Sequence, residues 1–167
     1  VTFFTCGMLI MYACSTLYHW WKPGKGKRVL RLLDHIGIYI MIASSYTPIC
    51  IGVVGGALGW VVFGLLWAVA IGGTFYKIFL LGRYPRLSLI LYLMMGWSVV
   101  LIGKPVFEAM PASALCCILA EGIFYTSGTY FYAHDTRKYY HAIWHLFVLL
   151  GSIAHWTAIL LVLYEIS

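Results

Sequence analysis

Hydrophobic residues in this chain form long, nearly continuous stretches and do not alternate with polar residues. Stretches of about twenty apolar residues match the length that an α-helix needs to cross a bilayer. The pattern predicts six such spans: Val1–Trp21, Leu30–Val54, Leu58–Leu81, Leu87–Gly103, Ala112–Tyr132 and Tyr139–Tyr164. We therefore expect an all-α, polytopic transmembrane helix bundle that forms a single domain over residues 1–167.

Composition excludes soluble and disordered proteins. Hydrophobic residues make up 63% of the 167 positions and charged residues only 10%, whereas a soluble domain contains about 25% charged residues. We expect a multi-pass protein of the plasma membrane, in a bacterium the inner membrane, with membrane lipids as its partners. The net charge of +6 does not indicate nucleic-acid binding, because the basic residues occupy short loops, where they orient membrane proteins.

The basic residues predict the orientation of the chain. Ten of the eleven lie in or beside the first, third and fifth connections, whereas Lys104 alone lies on the opposite side. The positive-inside rule makes the ten-residue side cytoplasmic. Because the chain begins at Val1 directly in apolar sequence, we expect a missing upstream span, which would place the N-terminus in the cytoplasm.

Ionisable side chains within apolar spans are costly and are therefore candidates for function. His19 ends the first span, Asp34 opens the second, and His141 and His145 open the last. These groups share one depth, and Ser15 lies one turn from His19. The spacing of His141 and His145 places both on one helix face, where they can bind one ion. Each pair alone could be an ordinary interfacial feature; together the groups suit a three-histidine zinc centre.

Three segments of the chain resemble the hemolysin III family: Ser15–His19 (STLYH), Leu33–Tyr39 (LDHIGIY) and His141–His145 (HAIWH). That family belongs, with the adiponectin receptors, to the progestin and adipoQ receptor superfamily and is related to the alkaline ceramidases. The resemblance covers essentially the whole chain in order and spacing. It implies a seven-helix bundle with a zinc site near the cytoplasmic side, of which this chain would supply six helices.

The resemblance also implies a role for each candidate residue. His19, His141 and His145 would bind Zn²⁺, and Asp34 would reach the metal through a water molecule. Ser15 would be the adjacent hydroxyl. Because three histidines complete the usual protein ligand set of a catalytic zinc site, a nearby carboxylate is better suited to act as a general base on the water.

Other polar residues have simpler interpretations. His155 lies ten residues beyond His145, about 15 Å along a helix, and is expected to be either a core histidine with a polar partner, which we favour, or a second polar group that lines a cavity. Glu121 lies in mid-span and either is protonated and bonded to a tyrosine or serine, or belongs to a polar pathway. His35 faces about 100° away from Asp34 and is expected to lie outside the site. The five cysteines contain no CxxC pair and indicate no disulfide framework.

Three functions fit this sequence. The first is a zinc-dependent hydrolase of a lipid amide or ester, or a lipid-homeostasis protein whose role rests on such activity; Asp34 and Ser15 would be its catalytic residues. The second is a non-enzymatic, zinc-stabilised receptor or regulator of membrane composition. The third is a hemolysin-type cytolytic pore, which the sequence supports least because no span carries a continuous polar stripe.

Overall fold

A computed structural model of the chain describes residues 2–134 and 136–166. Within these ranges the chain is helical and contains no strand, which confirms the predicted all-α class. The α-helices are α1 (Thr2–Trp20), α2 (Lys25–Pro48), α3 (Gly56–Leu80), α4 (Pro85–Gly96), α5 (Ser98–Ile102), α6 (Lys104–Ala109), α7 (Ala112–Ala133) and α8 (Tyr140–Ile166). The chain divides into two compact units, Val1–Ser98 and Val99–Ser167.

Four helices in the described part of the chain are long and apolar enough to cross a membrane. They are Lys25–Val54, Gly56–Leu80, Ala112–Ala133 and Tyr140–Glu165. They correspond to the second, third, fifth and sixth predicted spans. The first predicted span forms the 19-residue helix α1. The chain is therefore an all-α membrane protein, as its hydrophobic pattern predicts.

The fourth predicted span, Leu87–Gly103, is helical but is interrupted at Trp97. The apolar helical stretch there, Arg86–Val100, is shorter than a full span, and α4 ends at Gly96. The Ser98 hydroxyl donates a 2.7 Å hydrogen bond to the Met95 carbonyl, and such local bonds compete with the regular helical ladder. Helix α5 then ends before Gly103, whose φ of 62° is readily adopted by glycine.

Small residues let the helices of the first unit approach closely. A Cβ atom built on Gly37 of α2 would lie 3.3 Å from the Met11 backbone of α1. One built on Gly7 would overlap the Ser44 side chain. These contacts place the start of α1 beside the end of α2, so the two helices are antiparallel. Close glycine contacts are typical of helix packing in membranes, where lipid gives little hydrophobic drive for association.

Helix α2 changes its geometry at Pro48. A proline within a helix frees the carbonyl four residues earlier, here that of Ser44, and predicts a kink. The chain passes at this point into a π-helical segment, Ile49–Val54. Gly55 and Gly56, with φ of 61° and 54°, then form the turn that reverses the chain into α3. A π-helical segment next to a proline is a recognised cause of helix bending.

Helices α2 and α3 form an antiparallel pair after this turn. Gly59 lies against the Cys50 backbone, and a Cβ on Gly73 would lie 2.5 Å from the Tyr39 ring. Tyr39 is 0% exposed, and its ring lies 4.5 Å from that of Tyr92 in α4, between ring centroids. A buried tyrosine therefore fills the space among three helices of the first unit.

In the second unit, α7 and α8 pack as a second antiparallel pair. A Cβ on Gly128 of α7 would lie 2.8 Å from Phe147 of α8, and one on Gly151 of α8 would lie 2.6 Å from the Tyr125 ring. The Tyr125 hydroxyl also lies 3.1 Å from the Ser152 hydroxyl. This register places residue 121 of α7 level with residue 155 of α8.

Candidate metal centre

Two histidines at the start of α8 lie close enough together to bind one metal ion. The Nε2 atoms of His141 and His145 are 3.1 Å apart, and the ring centroids are 4.8 Å apart. Both side chains are half-buried. Two nitrogens bound to one tetrahedral zinc ion at its usual bond length would be about 3.3 Å apart. This pair of nitrogens therefore fits the spacing of two zinc ligands.

The first unit contains the other three predicted site residues. Ser15 is buried in α1, whereas His19 is exposed in the last turn of the same helix. The Asp34 carboxyl group is close enough to α1 to act electrostatically on the neighbouring Cys14 thiol. The antiparallel register of α1 and α2 thus brings Asp34 to the level of Ser15. His19 contacts the edge of the Tyr18 ring, with the ring centroids 4.8 Å apart.

Of the five predicted residues, Ser15, His19 and Asp34 belong to the first unit and His141 and His145 to the second. The complete ligand set of His19, His141 and His145 stays a prediction, as do the roles of Asp34 and Ser15.

His155 and Glu121 form a pair that the sequence analysis missed. The Nδ1 atom of His155 lies 2.7 Å from Oε2 of Glu121. The His155 side chain is 1% exposed and that of Glu121 13%. His155 is therefore a core histidine with a polar partner, as expected, but Glu121 bonds to histidine and not to a tyrosine or serine. Both residues lie in mid-span in the sequence, but only the register of α7 and α8 shows that they meet.

Lys77 lies within the predicted third span, Leu58–Leu81, and was counted with the third connection only for the charge comparison. The structure places it inside α3, one turn before the end of the helix, where it is 3% exposed. The apolar residues on both sides of Lys77 could have indicated this burial.

Comparison with known proteins agrees with the motifs. The family described as "Haemolysin-III related" matches residues 1–156. The chain belongs to this family. It is 38% identical over 159 residues to the "Hemolysin-3 homolog" of Bacillus subtilis (strain 168), covering 95% of this chain and 75% of that protein. It is also 38% identical over 151 residues to the "Hemolysin-3" of Bacillus cereus, covering 90% of this chain and 69% of that protein.

The similarity extends beyond bacterial proteins. The chain is 30% identical over 169 aligned positions to the human "Monocyte to macrophage differentiation factor", covering 95% of this chain and 68% of that protein. The predicted membership of the hemolysin III family and its wider superfamily is thereby confirmed. No solved structure matches the chain.

Proposed function

We propose that this protein is a zinc-dependent membrane hydrolase that cleaves a lipid amide or ester. His19, His141 and His145 would bind the metal. The observation that carries the proposal is the 3.1 Å separation of the His141 and His145 nitrogens, which matches two ligands of one tetrahedral ion. Family membership supports His19 as the third ligand, because its motif, Ser15–His19, is one of the three segments that carry the resemblance.

The chemistry of the ligand set fits zinc. Imidazole nitrogens are suitable zinc ligands, and three protein ligands leave a fourth position open. A bound zinc ion would lower the pKa of a coordinated water molecule and polarise the substrate carbonyl group. A site at the depth of His19 and His141 would lie near the membrane boundary, where the linkage region of a lipid can enter.

Asp34 and Ser15 would serve the reaction without binding metal. Asp34 is the single acidic residue of the first unit and lies level with Ser15 across the α1–α2 pair. In the proposed reaction Asp34 orients the attacking water and takes its proton. Ser15, buried one turn from His19, donates a hydrogen bond to the water or to the substrate carbonyl group.

An Asp34→Asn variant tests this assignment. The full chain would be purified in detergent. Its zinc content would be measured together with its rate of hydrolysis of one lipid amide, an N-acyl sphingoid, and one lipid ester, a diacyl glycerophospholipid. Glu108→Gln is a matched control, because the Glu108 side chain is 65% exposed and pairs with Lys104. We expect Asp34→Asn to keep its zinc and lose most of its activity, and Glu108→Gln to keep both.

Two outcomes contradict the proposal in different ways. Loss of zinc from Asp34→Asn would make Asp34 a ligand and overturn the division of roles. Retention of both zinc and full activity would remove Asp34 from the mechanism. If the wild-type protein binds zinc but hydrolyses neither lipid class, the zinc instead stabilises a non-enzymatic receptor or regulator.

A further inference from the structure

The first unit carries a large excess of positive charge. It contains eight basic residues and one acidic residue, Asp34. Among the described residues, no lysine or arginine of this unit forms an ion pair with a carboxylate. Basic clusters without counter-charges at a membrane boundary attract anionic groups.

Several of these basic residues line two adjoining cavities between α2 and the end of α3. One cavity of about 480 Å³ is lined by Lys27, Arg28 and Arg31 together with Tyr18, Pro23, Gly24 and Leu81. The other, of about 380 Å³, is lined by Arg28 and Arg83 together with Val29, Leu32 and the segment 78–81. Arg28 and Leu81 belong to both linings. We call the two cavities together the basic groove.

The end of α3 gives Arg31 room to enter the basic groove. A Cβ atom built on Gly82 would lie 4.0 Å from the Arg31 guanidinium group, and Gly82 has a φ of 82°. The chain turns here immediately after α3. Guanidinium groups bind phosphate through two parallel hydrogen bonds. Gly82 therefore adds no side chain over the Arg31 guanidinium group.

A buried lysine lies behind the basic groove. Lys77 is 3% exposed, and Arg31 is close enough to repel its charge. Among the described residues, no carboxylate forms an ion pair with Lys77. A buried cation beside a second cation is unfavourable unless an anion lies nearby. A negative group held by Arg31 would offset both charges.

The apolar part of the basic groove is formed by exposed side chains. Val29 is 55% exposed, Ile78 48% and Phe79 76%. All three line the smaller cavity, beside Arg28 and Arg83. An amphipathic ligand with an anionic headgroup and acyl chains therefore matches the order of side chains along the groove better than a free ion does.

We propose that the basic groove binds the headgroup phosphate of an anionic phospholipid, with Arg28, Arg31 and Arg83 on the phosphate and the acyl chains along Val29, Ile78 and Phe79. None of the proposed zinc ligands lines this binding site, although Tyr18, which lines it, contacts His19. Lipid bound here would stabilise the α2–α3 pair at the membrane boundary.

The test uses native mass spectrometry of the full chain in detergent with equal amounts of phosphatidylglycerol and phosphatidylcholine that carry the same acyl chains. We expect the wild type to retain phosphatidylglycerol preferentially. The variant Arg28→Gln/Arg31→Gln/Arg83→Gln should bind it at least ten-fold more weakly. The variant Lys22→Gln/Lys25→Gln/Arg86→Gln removes the same charge from exposed positions outside the groove and should stay within two-fold of the wild type.

Three results would overturn the proposal. An equal loss of phosphatidylglycerol binding in the two triple variants would mean that basic residues attract the lipid non-specifically. Unchanged binding in the groove variant would mean that the lipid binds elsewhere. If inorganic phosphate or glycerol phosphate displaces the lipid at equal concentration, the ligand is a soluble phosphate. If the groove triple variant fails to fold, the single variants Arg31→Gln and Lys25→Gln are compared instead. We then expect Arg31→Gln to bind phosphatidylglycerol at least three-fold more weakly, and Lys25→Gln to bind it as the wild type does.

Discussion

Substituting Gly73 by alanine should destabilise the first unit, because the added methyl group has no space. Its Cβ would lie 2.5 Å from Cε1 and Cζ of Tyr39, whereas carbon atoms in contact are about 3.5–4.0 Å apart. The tyrosine ring must therefore move by about 1 Å or more, or the helices must separate. Tyr39 is fully buried against Tyr92, so a simple rotation of the ring is blocked.

The expected cost follows from this geometry. Overpacking of a close-packed interior costs about 1–3 kcal/mol, and the blocked ring places Gly73→Ala in the upper half of that range. The adjacent Gly72 is an ideal control, because a Cβ there would meet no heavy atom within 4 Å. Gly72→Ala should leave stability unchanged or raise it slightly, since alanine favours helix by up to about 1 kcal/mol over glycine.

The assay is detergent-driven unfolding of the two variants and the wild type, followed by circular dichroism in mixed micelles. We expect the midpoint for Gly73→Ala to fall clearly below that of the wild type, while that of Gly72→Ala does not fall. Equal midpoints for the two variants would refute the close α2–α3 contact. A larger loss in Gly72→Ala would mean that α3 turns a different face towards Tyr39.

Three further predictions address other features. In a double-mutant cycle of Glu121→Leu and His155→Leu, the coupling free energy should reach about 0.6–1.7 kcal/mol, measured by the same unfolding assay; additive effects would contradict the pairing. A cysteine at Lys25 should resist an impermeant thiol reagent in intact cells and react after lysis, whereas ready labelling of intact cells would reverse the predicted topology. Ser15→Ala should keep its zinc and lose about 10–100-fold in hydrolysis rate; complete loss of activity with zinc retained would instead make Ser15 a nucleophile.

The hydrophobic pattern predicted most of the helices because membrane-spanning segments must be both long and apolar. It did not show the interruption at Trp97, because one non-helical residue within an apolar stretch leaves hydropathy unchanged. The proline at position 48 indicated a distortion of α2, but the π-helical form of that distortion depends on the local backbone geometry.

The candidate site was likewise predicted where the residues are close in sequence and missed where they meet only in the fold. The spacing of His141 and His145 predicted a shared helix face, and the 3.1 Å between their nitrogens agrees with it. The Glu121–His155 pair could not be predicted, because its residues are 34 positions apart and meet only through the register of α7 and α8. Lys77 lies within the predicted span Leu58–Leu81, but its burial, at 3% exposed, depends on how α3 packs.

The central claim is that three histidines bind zinc, and metal analysis of the purified full chain tests it most directly. The account predicts about one zinc per chain in the wild type and loss of most of it in His19→Ala, His141→Ala and His145→Ala. His134→Ala is the matched control and should retain the metal, because His134 lies exposed at the end of α7, where its Nδ1 lies 2.8 Å from the Tyr130 carbonyl oxygen. Zinc content near one per chain in a variant lacking all three proposed ligands would contradict the account.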